Sequence, residues 1–546
     1  MTEGNVLYYG DNLDVLRRHV KDESVDLVYL DPPFNSNANY NLLFSEHGEK
    51  AAAQIEAFTD TWEWNTESAA AFQEVVEAGG EVAKATLAFR TLIGTSDMLA
   101  YLAMMAPRLV ELHRVLKTTG SLYLHCDPNA SHYLKLLLDA VFGPQQFRSE
   151  IIWKRTSGHS DARGYGSVHD VLLYYVASDA ATWNRVFQAY DPGYVEQYYR
   201  YTDENGRRFM SGDLSAAGLS GGGYEYEWRG VTRVWRVPPA TMEKLEAEGR
   251  VFYTRNGFPR LKRYLDESKG LPAQDVWTDV EPLRSWHAER LGYPTQKPLA
   301  LAVRLIEASS NAGDVVLDPF CGCGTTVDAA QVLGRRWIGI DITHLSIGLV
   351  KHRLADRYGP EITRTYRTIG EPTTVDDARV LAKEDPFQFQ AWALGLVGAR
   401  VAGSDKKGGD KGIDGRLYFH EGAAETRQII FSVKAGHLVP AFVRDLSGVL
   451  TREGAEIGVL ISFEEPSAGM RAEAADSGFH ESPWGRHPRI QLRTIRELLD
   501  GKGIDYPHVT GANVTHRRAT RVRPDAPETL EMFERAAEEP EAYDSD

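Results

Sequence analysis

Asp31-Pro32-Pro33-Phe34 sets a carboxylate, two prolines and an aromatic ring side by side. The motif follows Val25–Leu30, a short apolar run that reads as a buried strand. The carboxylate therefore stands where a strand gives way to a loop. In an open α/β sheet that edge is where ligands bind. The prolines fix the backbone and remove its donors, so the local carbonyls stay free to accept. Asp31 accepts as well, and Phe34 offers a flat apolar face. Such a loop suits a planar group bearing an exocyclic amine, such as a nucleobase.

A second constellation is Asp318-Pro319-Phe320-Cys321-Gly322-Cys323-Gly324. Strand, glycine turn and helix in that order cradle nucleotides, because glycines let a ligand approach the backbone. No lysine follows Gly324, which disfavours a phosphate-gripping loop. Asp341 closes the next strand, seventeen residues beyond Gly324, where a carboxylate accepts ribose hydroxyls. Together they predict a dinucleotide or adenosyl cofactor. Cys321 and Cys323 lack the further Cys or His of a zinc site and read as small residues in a tight turn.

A third lies near the C-terminus. Lys411-Gly412-Ile413-Asp414-Gly415 precedes a strand that ends Phe431-Ser432-Val433-Lys434. A carboxylate on one strand and a lysine ending the next form the skeleton of a metal-dependent phosphodiesterase. There the acid holds Mg²⁺ and the lysine steadies the attacking water or the developing charge.

These loops need a scaffold of repeated strand and helix. Residues 5–9 read as a strand, Gly10-Asp11-Asn12 as a turn capping a helix through His19, and Asp97 to Lys117 as a helix stopped at Gly120. Ser121 to His125 reads as a strand and Ala130 to Val141 as a helix, the alternation of a parallel sheet. Residues 35–95, rich in Ala and Glu, read as a mostly helical insertion. Between about 147 and 290 the alternation breaks, although 151–155 and 171–175 still look like strands. Arg250 to Arg263 carries five basic residues, three aromatics and no acid, a mixture suited to base stacking and phosphate neutralisation, or to a solvated strand pair. Strand and helix resume from Leu299 to about Arg357. Residues 360–380 read as a linker, and a smaller α/β pattern follows.

At 546 residues, two to four domains are expected. No apolar run approaches the roughly eighteen residues that span a bilayer. Three cysteines and no basic-then-apolar leader fit a reducing, cytoplasmic setting. A formal charge of −16 argues against indiscriminate nucleic-acid binding but not against a local basic groove. Thr515 to Arg523 carries four arginines and the tail beyond Pro527 is acidic, which reads as a loosely packed terminus.

Asp31-Pro32-Pro33-Phe34, then Thr295-Gln296-Lys297-Pro298, then Asp318 to Thr326 resembles the beta-group, S-adenosylmethionine-dependent amino-methyltransferases of DNA, over roughly residues 4–358. Trp153-Lys154-Arg155 and Ser167-Val168-His169-Asp170 are similar to modification subunits of type III systems. The resemblance implies a Rossmann-like, doubly wound α/β sheet interrupted by a target-recognition insert. The expected domains are a catalytic half at 1–150, the insert at 151–290 and a cofactor half at 291–360.

By the same resemblance Asp31 and the Pro32 carbonyl, on the Pro32-Pro33 turn, would hold the amine of a flipped base and Phe34 would stack on it. Asp318, Phe320, Gly322 and Gly324 would line the methionine part of S-adenosylmethionine, Asp341 its ribose and Asp11 its adenine. Thr295 and Lys297 would close the site. For Asp11 an ordinary turn residue is an equal reading. Lys154, Arg155, Arg255, Arg260, Lys262 and Arg263 are the candidate DNA contacts. Cys126, beside Asp127, is a poor thiolate, so amine methylation is favoured over cytosine carbon-5 chemistry. Family members whose motif begins with Asp are mostly adenine enzymes, which favours adenine N6 over cytosine N4. The implied partner is double-stranded DNA, with a homodimer or a restriction subunit as open alternatives and no membrane.

Gly412-Ile413-Asp414-Gly415 with Val433-Lys434 resembles the Mrr-like branch of the PD-(D/E)XK restriction-endonuclease superfamily. This implies a restriction-endonuclease-like α/β domain at 381–510, after a linker at 361–380 and before a charged tail at 511–546. Asp414, Ser432 and Lys434 would be its site, with Asp414 on Mg²⁺. The superfamily usually has Glu, Asp or Gln where Ser432 stands. A hydroxyl is a weak Mg²⁺ ligand, which weighs towards a DNA-binding or assembly domain over a cleaving one.

Overall fold

The computed structural model describes residues 4–33, 38–46, 49–60, 63–158, 164–216, 223–284, 286–293, 295–402, 412–420, 426–507, 515 and 519, with only the backbone described over 38–60. Phe34, Lys411 and the acidic tail lie outside these.

Nine strands form the main sheet: β1 (Asn5–Tyr9), β2 (Val25–Leu30), β3 (Leu116–Cys126), β4 (Phe147–Lys154), β5 (His169–Val176), β6 (Val276–Trp277), β7 (Val315–Asp318), β8 (Arg336–Asp341) and β9 (Tyr366–Ile369). Their order across the sheet is β6-β4-β5-β3-β2-β7-β8-β1-β9. Only β5 runs antiparallel to its neighbours. All six residues of β2 are buried. Their side chains divide by parity, Val28 and Leu30 into one core and Leu27 and Tyr29 into another, so apolar layers cover both faces. A continuous apolar run is what a strand covered on both sides requires. Asp26 is tolerated within it because its carboxylate takes Lys117 Nζ at 2.8 Å and the Val315 N–H at 2.9 Å.

Helices α1 (Asn12–His19), α2 (Asp97–Val115) and α3 (Pro128–Phe142) contribute to the first layer. Helices α4 (Leu299–Ser309), α5 (Thr325–Val332) and α6 (His344–Tyr358) contribute to the second. Each start is fixed locally: Asp11 caps α1, Ser96 caps α2, Asp127 caps α3 ahead of Pro128, and Thr343 caps α6.

Three expectations change. Among the described residues, 35–95 is not mostly helical: Ala38–Glu46 and Glu49–Asp60 form an antiparallel hairpin, and helices occupy Thr66–Ala78 and Gly80–Ile93. Cross-strand pairing overrides the helix propensity of an Ala- and Glu-rich stretch. The insert boundary at 151 also moves, since β4 and β5 are laddered to each other and β5 to β3. The separate compact unit is Arg185–Gln274. The linker at 361–380 contains β9, which pairs with β1 and ends the sheet.

The 185–274 unit holds a four-stranded antiparallel sheet around Phe209 and Tyr264, and a small core centred on Trp235 and Met242. The C-terminal region begins with α7 (Val375–Glu384) and α8 (Pro386–Gly395). Its sheet comprises β10 (Arg400–Val401), β11 (Gly415–His420), β12 (Thr426–Lys434), β13 (Ile457–Ser462) and β14 (Ile490–Thr494), in that order. The crossover from β12 to β13 is made by α9 (Ala441–Glu453).

Candidate active site at the sheet switch point

β2 lies beside β7, and from that pair the chain departs towards β3 on one side and β8 on the other. A crevice at the carboxyl ends of such strands is the expected ligand site of an open α/β sheet. A cavity of about 270 Å³ opens there. Asp31, Pro32 and Pro33 line it from β2, and Asp318 to Cys323 from β7. Asp341 to Thr343 and Gly10 to Asn12 add further walls, and Tyr293 and Thr295 to Lys297 close the remaining side.

Asp31 forms an ion pair with Lys297, both side chains being largely buried. Lys297, expected only to close the cofactor side, thus reaches the carboxylate opposite. The other oxygen of Asp31, Oδ1, is buried and takes no hydrogen bond from the described residues. A carboxylate oxygen left bare inside a cavity is costly unless a ligand donor meets it. Two residues before, Tyr29 also lines the cavity and shares a hydrogen bond of 2.9 Å with His125 Nδ1. His125 Nε2 lies 3.2 Å from Asp170 Oδ2, and Arg155 Nε 3.1 Å from the other oxygen of Asp170. Burial opposes ionisation of Asp170, but His125, Lys297 and Arg155 outweigh it and hold its carboxyl below the usual range.

Across the cavity, burial pushes the Asp318 carboxyl up to about 7, against bonds from Thr326 and the Phe320 N–H, with Asp31 and Asp341 adding repulsion. Burial raises Asp341 as well, although the Thr343 N–H, the Thr343 hydroxyl and the Gly322 N–H all donate to it. Gly322 has a φ of +48°, and a Cβ there would come within 3.3 Å of the Tyr293 ring. Gly324 differs from its expected role. It is absent from the cavity wall and takes a left-handed φ of +78° at the start of α5, where a Cβ would meet Val350 at 2.9 Å. Behind the turn Arg353 reaches buried Asp328 at 2.8 Å and Thr325 Oγ1 at 3.1 Å, pinning the helix start. Burial raises the thiols of Cys321, Cys323 and Cys126, as small packed residues require.

Asp11 is a helix-capping turn residue that also stands in the cavity wall. It caps α1 through the Leu13 and Asp14 N–H groups, and it lines the cavity while paired with Arg108 at 2.5 Å. Asn12 accepts from Arg108 Nε at 2.6 Å and donates to the Pro319 carbonyl at 2.8 Å, tying the loop after β1 to the loop after β7. Sequence reading missed Asn12, Tyr29, Arg108, Tyr293 and Thr343. Each stands outside the motif loops, except that Tyr29 and Asn12 directly adjoin them.

The candidate DNA contacts are dispersed. Lys154 is exposed at the end of β4 and Arg155 is pinned to Asp170. In the 185–274 unit Arg255 and Arg263 are exposed, whereas Arg260 is tied to Asp213 and Ser211 and Lys262 sits over Phe209. Two aromatics of that run pack on neighbouring rings while staying half-exposed, Phe252 on Tyr201 and Phe209, and Phe258 on Trp235.

In the C-terminal sheet Asp414 Oδ2 takes the Val433 N–H at 2.7 Å, the Ser432 hydroxyl at 3.3 Å and Lys434 Nζ at 3.5 Å. The three expected residues do meet. Among the described residues, however, no group of three His, Cys, Asp or Glu side chains could hold a metal ion. Beside the Asp414 carboxylate the described side chains add one further oxygen, the Ser432 hydroxyl, which is a weak Mg²⁺ ligand, so this donor set does not fit Mg²⁺. No helix among the described residues is long and apolar enough to cross a membrane.

The family model described as DNA methylase matches residues 25–348. The chain is 29% identical over 360 residues to the type II methyltransferase M.EcaI of Enterobacter cloacae, covering 64% of this chain and 69% of that protein. It is 28% identical over 408 residues to the Mod subunit of the type III restriction-modification enzyme StyLTI of Salmonella typhimurium, covering 69% and 57%. It is 26% identical to the DNA adenine methyltransferase YhdJ of Escherichia coli, covering 66% and 86%. Among solved structures it is similar to the M1.HpyAVI–SAM complex at 16% identity and a TM-score of 0.31, covering 64% and 98%.

Proposed function

The chain belongs to the DNA methylase family, and we propose that it transfers a methyl group from S-adenosylmethionine to adenine N6 in double-stranded DNA. The observation that carries this reading is the single cavity walled by Asp31-Pro32-Pro33 on one side and by Asp318, Gly322 and Asp341 on the other. A motif built to hold an amine faces a loop built to hold a nucleoside.

The residues present fit the donor. The buried carboxylate of Asp318 and the half-buried one of Asp341 offer acceptors to an ammonium and to ribose hydroxyls, Gly322 allows close approach, and Tyr293 and Ile342 give apolar walls. When bound, S-adenosylmethionine supplies a methyl carbon already activated by its sulfonium. The remaining work is orientation and polarisation. Asp31 Oδ1 accepts one N–H of the amine and the Pro32 carbonyl the other, which keeps the nitrogen lone pair aimed into the cavity. Lys297 holds Asp31 in place through their ion pair. The Tyr29–His125–Asp170 chain stiffens the strand end from which Asp31 projects. The paired amine of a duplex cannot reach so recessed a position, so the base must flip out.

Adenine is favoured over the cytosine amine because the motif begins with Asp, and similarity to YhdJ supports it. Similarity to the StyLTI Mod subunit supports a restriction subunit as partner. For the C-terminal domain, the Mrr-like resemblance and the meeting of Asp414 with Lys434 support a restriction-endonuclease-like fold acting in DNA binding or assembly. A cleaving role would need metal ligands beyond those described. Tritiated donor, a duplex substrate and nucleoside analysis test the main reading: labelled N6-methyladenine is expected. Label in N4-methylcytosine would transfer the assignment to the other base, and no label in any duplex would overturn it.

A further inference from the structure

We propose that the C-terminal region supports the donor pocket from behind, with Gln388 on α8 as a positioning residue for the Asp341–Thr343 wall. This inference rests on reading the cavity as the site of S-adenosylmethionine. The wall runs directly into α6, whose first N–H groups have no partner within the helix. The His344 N–H is satisfied from outside, donating at 2.9 Å to Gln388 Oε1, 44 residues further along the chain. Asp385 caps α8 through the Phe387 and Gln388 N–H groups, which fixes the acceptor's starting point.

The link is more than one bond. The His344 ring stacks on Tyr9 at 3.6 Å, and Tyr9 precedes Gly10, whose N–H donates to the Asp341 carbonyl at 2.9 Å. Gly10 and Asp341 both line the cavity. Glu371 approaches His344 Nδ1 at 3.7 Å and also pairs with Lys351 of α6. The apolar packing is continuous as well. Tyr293 and Cys323, both in the cavity wall, belong to one buried cluster with Leu349 of α6 and with Phe389, Trp392 and Leu394 of α8. The Tyr293 ring also sets the space above Gly322. The donor side of the cavity thus has α8 as its backing. Ordering the wall by a ligand must order α8, and loosening α8 must cost the ligand affinity, since such coupling is reciprocal.

The test is made on the full chain with S-adenosylhomocysteine as the probe. Hydrogen exchange of the unsubstituted protein should slow in 386–395 together with 341–350 when the probe binds, while 441–453, on α9, stays unchanged. Calorimetry should show Gln388→Ala weakening the probe by about fivefold to tenfold, the loss of one hydrogen bond. Gln388→Glu, which keeps the acceptor, should recover most of it. Protection confined to 341–350, or a Gln388→Ala variant that binds like the parent, overturns the proposal. Absence of binding to the unsubstituted protein would instead overturn the donor reading and this inference with it. Because the exchange arm needs no substitution, a variant that fails to fold leaves the proposal open to refutation.

Discussion

Asp31 and Asp414 invite comparison. Each is a carboxylate in a loop at a strand terminus, each faces a lysine, and each belongs to a short motif. Their surroundings differ. Asp31 keeps one oxygen bare inside a cavity whose other wall carries Asp318 and Asp341. Asp414 has Oδ2 engaged by the Val433 N–H, the Ser432 hydroxyl and Lys434, so its bonds hold neighbouring strands together. A motif places a carboxylate; whether a cavity or the adjoining strand lies beside it is what separates the two.

The sharpest way to break that contrast is to remove each carboxylate. Asp31→Ala should lower methyl transfer by roughly 10²- to 10³-fold or more while donor affinity stays within about threefold. Asp414→Ala should leave transfer within about twofold. Label-transfer rates and calorimetry read both, and equal loss of rate and affinity in Asp31→Ala would remove Asp31 from the acceptor side.

Asp414→Ala should instead cost about 1–3 kcal/mol of stability in urea unfolding, because it strands the Val433 N–H. The same variant tests the second motif. Unmodified duplex incubated with Mg²⁺ should remain intact, and cleavage abolished by Asp414→Ala or Lys434→Ala would make the two regions equals.

Smaller effects sharpen the donor side. Gly322→Ala should weaken the donor about tenfold, since the new Cβ needs a left-handed backbone and crowds Tyr293. Asp318, with its carboxyl pushed up to about 7, is neutral below that pH and charged above it. A cationic ligand prefers the charged form, so donor affinity should rise about threefold to tenfold between pH 6 and pH 8. Asp318→Asn should flatten that profile, and a profile that persists would place the titration elsewhere.

Much of the crevice was legible because its loops follow continuous apolar strands. Val25–Leu30 and Val315–Asp318 are buried along their whole length, so the ends of both could be located and the carboxylates there noticed. The backing was harder to see. Arg108 reaches the cavity from a helix that carries no motif, and Tyr293 from two residues before the Thr295-Gln296-Lys297-Pro298 motif, so tertiary packing rather than a motif brings them in. Gly324 shows the opposite error: it belongs to a motif yet serves the helix start rather than the ligand. The hairpin at 38–60 escaped because alanine and glutamate favour a helix until a partner strand is supplied. The edge strand β9 escaped because four residues are too few for a period to show.

The 185–274 unit is pinched shut at its base. Phe187–Gln188 pairs with Leu271–Pro272, and the Ala273 N–H donates to the Val186 carbonyl at 3.0 Å. Entry and exit of the chain are thus fastened to each other before the rest of the unit begins. A segment with adjoining ends can be lifted out and another set in its place with little strain on the host. Exchange of this segment between related enzymes should therefore yield folded chimaeras, so the unit can be replaced whole rather than revised point by point.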